Sequence, residues 1–81
     1  YSDLGEPKKA IEYYEQALKN SREIGDRRGE GIHLFNISLY LESSGQRDHA
    51  ISLAQSALAI FEQIESPHAE MVRQALAQWQ S

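Results

Sequence analysis

The sequence predicts an all-α chain of antiparallel helical hairpins, on three observations. The chain nearly repeats itself at a shift of forty residues, and apolar residues recur at helical spacing within each copy. Glycine, proline and capping residues fall between the periodic segments. At the forty-residue shift Gly5 pairs with Gly45, Ala10 with Ala50, Ile11 with Ile51, and Ala17 with Ala57. Leu18 pairs with Leu58, Ile24 with Ile64 and Glu30 with Glu70. Most of these are small or apolar residues, the kind that decide how helices pack. Each copy therefore reads as one stacking unit whose faces need a neighbour.

The elements follow in order. Residues 1–4 are expected to be the last turn of an earlier helix, in a piece of a longer intracellular, cytoplasmic protein. Pro7 suits a first helical turn, where its missing N–H has no partner to lose. From there Ala10, Ile11, Tyr14, Ala17 and Leu18 trace one face of a helix over 7–24. Gly25 can take the left-handed conformation that ends it, and Asp26 can cap a second helix over 28–44. That segment contains "IHLFNISLYL", whose alternation also fits a β-strand. A lone strand between long helices has no partner, so a helix is predicted, apolar nearly all round. Gly45 ends it. A third helix over 46–64 carries Ala50, Ile51, Ala54, Ala57, Leu58 and Phe61, widened by Leu53, Ile60 and Ile64. Ala17 and Ala57 are expected at close helix crossings. Ser66 and Pro67 then open a fourth helix over 67–80.

Composition narrows the function. Eighty-one residues make one domain at most, with little room for a deep catalytic pocket. Eight Lys and Arg against twelve Asp and Glu give a net charge of −4, without the basic face that nucleic acid requires. There is no cysteine and no stretch near the roughly 20 apolar residues of a membrane span. His33 has Glu30 one turn before it, and His68 sits near Glu65 and Glu70, but no metal-ligand cluster results. These histidines are read as solvated. Glu12, Glu15 and Glu23 are spaced to pair with Lys8, Lys19 and Arg27 along a solvated face. No Gly-x-Ser-x-Gly elbow or phosphate loop occurs. The sequon at Asn36-Ile37-Ser38 falls mid-helix and is discounted. The expectation is no enzyme, no cofactor, no metal, no nucleic acid and no membrane.

The repeat unit resembles the tetratricopeptide repeat. That family's second helix runs from Gly through Ala-Ile/Leu-x-x-aromatic to Ala-Leu, and "GEPKKAIEYYEQAL" supplies Gly5, Ala10, Ile11, Tyr14, Ala17 and Leu18. "GQRDHAISLAQSAL" matches through Gly45, Ala50, Ile51, Ala57 and Leu58, and departs at Ala54, where a large aromatic is usual. In the preceding first helix Leu34 and Ile37 take the large apolar places, Ser38 replaces the usual glycine and Leu41 the usual tyrosine. The forty-residue period exceeds the usual one of about 34 and looks like that of kinesin light chains and of regulators that bind G-protein subunits. The resemblance implies a right-handed α-solenoid fragment. Residues 1–25 would end one repeat, 26–65 form a full one, and 66–81 a first helix or a cap. The cap is favoured because Gln74, Ala77 and Gln78 stand where large apolar residues and glycine are usual.

The resemblance also implies that first helices line a concave groove. Leu34, Ile37 and Leu41 would then face the core, while Ile32, Phe35 and Leu39 face a ligand. Val72, Ala75 and Trp79 hold the corresponding places forty residues on. Asn36 matches an asparagine common in such grooves and would hydrogen-bond a peptide backbone. The alternative is that the closing helix folds over this stripe and buries it. The function expected is a protein-interaction scaffold holding a peptide or partner helix, with an RNA-binding helical repeat as the other reading. Tyr13, Tyr14 and Ile24 are expected to be partly uncovered, and two copies of the chain to pair as a homodimer.

Overall fold

The structure, a computed structural model, describes residues 7–80. Four helices follow one another: α1 (Pro7–Ile24), α2 (Arg27–Ser43), α3 (Arg47–Gln63) and α4 (His68–Gln80). No strand occurs among the described residues, and Ile32 to Leu41 lie wholly within α2. The expected turn at 1–4 lies outside the described residues.

The three turns are built alike. After α1, the N–H of Asp26 donates to the carbonyl of Ser21 at 2.8 Å and that of Gly25 to Arg22 at 3.3 Å. After α2, Gln46 donates to Leu41 at 2.8 Å and Gly45 to Glu42 at 3.1 Å; after α3, Ser66 donates to Phe61 at 2.8 Å and Glu65 to Glu62 at 3.2 Å. This is the closure in which a left-handed residue lets two N–H groups fold back onto the last carbonyls of the helix. The left-handed residue is Gly25 (φ 76°), Gly45 (φ 88°) and, third, Glu65 (φ 56°). The next helix starts at once. Asp26 accepts from the N–H of Gly29 at 3.0 Å, and the Ser66 hydroxyl accepts from that of His68 at 3.2 Å. Such tight turns lay successive helices antiparallel, α1 on α2, α2 on α3 and α3 on α4.

α2 lies between two neighbours, which explains why it is apolar nearly all round. Leu34, Ile37 and Leu41 join Leu18 of α1 and the wholly buried Ala50, Ala54 and Ala57 of α3 in one core. Alanine at these three places lets the backbones approach closely. Ala17 is only half-buried, because among the described residues α1 packs extensively on α2 only. Phe61 is fully buried against Gly31, where an added Cβ would fall 2.8 Å from its ring. Ser38 is also fully buried, its hydroxyl donating to the Phe35 carbonyl at 2.6 Å.

The polar contacts differ from the sequence expectation. Neither Glu15–Lys19 nor Glu23–Arg27 closes, and Lys8 lies outside the described side chains. Arg27 turns instead to Glu30 at 2.9 Å, because the turn at Gly25 breaks the helical spacing that would have met Glu23. Glu30 is buried, is also held by Arg22 at 3.0 Å, and Arg27 reaches Gln63 at 2.7 Å. One network thus ties the ends of α1, α2 and α3.

Candidate interaction surface

The seven residues expected to meet a partner fall into two groups. Val72 is fully buried, and Phe35 and Trp79 are buried with their rings stacked at 6.4 Å between centroids. Ile32, Asn36 and Ala75 are half-buried, and Leu39 is 42% exposed. The forty-residue correspondence therefore does not carry exposure with it. α4 docks on α3 through Ala69, Val72, Leu76 and Trp79, one face at helical spacing, and that face goes inward. Trp79 then closes over Phe35. Folding over of the closing helix thus covers part of the stripe and leaves the rest.

What remains open is a small cleft of about 160 Å³ between α2 and α4. Ile32, Phe35 and Asn36 of α2 line one side, His68 and Met71 of α4 the other, and Phe61 lies beneath. Met71, 47% exposed, was not legible as a site residue because its forty-residue counterpart is Gly31, which carries no side chain. His68 is exposed and its ring rests 5.3 Å from that of Phe61. The half-buried Asn36 amide makes no hydrogen bond within the described residues, in a cleft that is otherwise largely apolar. Such an amide can both donate to and accept from a backbone brought alongside it.

Among the described residues no three His, Asp or Glu side chains come together to hold a metal. His33 is not the solvated residue its sequence context suggests. It is half-buried, its ring 5.9 Å from that of Tyr14, and its Nδ1 is buried without a hydrogen-bond partner. Arg73 of α4 hydrogen-bonds Glu62 of α3 at 2.9 Å and Glu70 at 3.2 Å. The bond to Glu62 raises its pKa above the ordinary arginine value; desolvation opposes the rise, and the charge of Glu62 and the bond to and charge of Glu70 add to it. This ties α4 to α3 on the surface. No helix among the described residues is long and apolar enough to cross a membrane.

The comparisons with known proteins bear on this arrangement. No curated protein and no solved structure matches the chain. A family model described as the tetratricopeptide repeat matches residues 1–63, up to the last residue of α3. With helical hairpins packed in succession and a match over most of its length, the chain belongs to the tetratricopeptide repeat family.

Proposed function

We propose that this chain is a protein-interaction module that seats one apolar side chain of a peptide or partner helix in the cleft between α2 and α4. Tetratricopeptide repeats are non-catalytic scaffolds that generally mediate contacts between proteins. The observation that carries the finer reading is the uncommitted Asn36 amide inside an apolar cleft. A space of about 160 Å³ suits a single leucine, methionine or phenylalanine side chain and is too small for a typical small-molecule ligand. Ile32 and Met71 would flank the anchor, Leu39 and Ala75 would extend the apolar contact, and Asn36 would hold the backbone. Phe35, Val72 and Trp79 serve the site as its supporting wall.

The test uses the single tryptophan, which lies beside the cleft. A random peptide library is panned against the chain, and the selected peptides are titrated while Trp79 fluorescence is followed. Met71→Glu and Asn36→Ala should each weaken binding roughly tenfold with the melting temperature unchanged. Peptides that bind both variants as well as the original would place recognition elsewhere.

The outward face of α1 supports a second, separate proposal, that two copies pair. Tyr13 is 57% and Ile24 77% exposed there, and Tyr14 is half-buried. Ile24 on one copy would meet Tyr13 of the other about a twofold axis.

A further inference from the structure

α2 has a second apolar side, half a helical turn away from the cleft. α1 and α3 both pack on α2 but not substantially on each other, so a groove of about 230 Å³ remains between them. Leu34, Ile37 and Leu41 form its floor, Ile11 of α1 and Leu53 of α3 its half-buried walls. From Leu34 to Leu41 the floor runs roughly 10 Å, the reach of two turns of a helix. The space lies below the roughly 300–1,000 Å³ of small-molecule pockets, yet it can take two aliphatic side chains.

The charges at its rim select the occupant. Arg22 is already engaged by Glu30 at 3.0 Å, whereas Glu15 on the same wall has no ion-pair partner among the described residues. His49 completes the polar rim from α3. The rim thus offers one uncommitted negative charge beside an apolar trough, on a chain of net charge −4. We propose that this groove docks an amphipathic helix of a partner protein. That helix presents two aliphatic residues one turn apart, with a lysine or arginine beside them to meet Glu15. The site is independent of the α2–α4 cleft. With α2 as their common partition, the two sites allow one chain to hold two segments at once, one on each side.

The probe is a fluorescein-labelled helical peptide of alanine and glutamine carrying two leucines one turn apart, made with a neighbouring lysine or with glutamate in its place. In anisotropy titrations of the 81-residue chain, the lysine peptide binds and the glutamate peptide binds about threefold more weakly. Glu15→Lys, an exposed change, reverses that order. Leu53→Glu lowers affinity roughly tenfold for the lysine peptide. Leu39→Glu, an exposed change on the opposite side of α2, leaves it unchanged. Should Leu53→Glu unfold the chain, as circular dichroism would reveal, Glu15→Lys decides the matter alone. Absence of binding up to millimolar peptide, equal affinity for the two peptides, or a loss on Leu39→Glu overturns the proposal.

Discussion

Glu65 occupies a conformation that the two equivalent turns give to glycine. Left-handed backbone crowds the Cβ of an L-residue against the following carbonyl, at about 1–2 kcal/mol. Glycine at this place removes the crowding but loses more entropy on folding. Glu65→Gly is therefore expected to stabilise the chain by about 0.5–1 kcal/mol, read as a higher urea midpoint with unchanged slope. An unaltered or lower midpoint would mean that Glu65 is held by something stronger than the turn. At the opposite extreme stands Ala57, fully buried in α3. Ala57→Leu has nowhere to put its added carbons and should cost about 1–3 kcal/mol. An unchanged melting temperature would contradict the close packing described. Phe35→Ala should cost about 3–5 kcal/mol, because its ring is buried under Trp79. The same variant should expose Trp79 and shift its emission to the red.

At the scale of the elements, α2 depends on its neighbours more than on its own sequence. Glycine at 29 and 31 and β-branched residues at 32 and 37 make it a weak helix in isolation. Its stability comes from burial of Leu34, Ile37 and Leu41 and from the Arg22–Glu30–Arg27 network at its start. Both arginines are about half exposed, so solvent and salt screen the network. Glu30→Gln should cost about 1 kcal/mol at low ionic strength. The cost should shrink in 1 M salt, where the Debye length falls to about 3 Å. Thermal melts of both proteins at the two ionic strengths check this; a salt-independent difference would assign the cost to packing.

For the whole molecule, the described helices form a slab of 33 × 32 × 17 Å. Among the described residues the extensive contacts run between successive helices, with Trp79 of α4 also reaching Phe35 of α2, so each outer helix is held from one side. The outward side of α4 is polar, with Gln74, Ala77 and Gln78 all exposed, whereas that of α1 carries Tyr13 and Ile24. If α1 mediates pairing, sedimentation at micromolar concentration should give twice the 9.2 kDa monomer. Ile24→Glu should return the monomer without loss of helix content. A monomer for the unaltered chain removes the pairing proposal and leaves the two grooves untouched.

Local chemistry determined where the helices begin and end. Gly25, Gly45, Asp26 and Ser66 act through backbone conformation and short hydrogen bonds, which depend on a few neighbouring residues and so can be read in one dimension. Helical spacing likewise determined that Ala50, Ala54, Ala57 and Phe61 share a buried face. The repeat itself carried the family. Exposure was another matter, because it depends on which helix lies across from which. Val72 and Trp79 stand forty residues after Ile32 and Leu39, yet they turn inward where Ile32 stays half-covered and Leu39 faces out. Only the docking of α4 on α3 decided that. The same holds for Glu30, paired across a turn with Arg22, and for Met71, brought beside Ile32 from a distant helix. Pattern along the chain specifies a face; what covers that face is decided by the packing of other elements, over distances that sequence spacing does not encode.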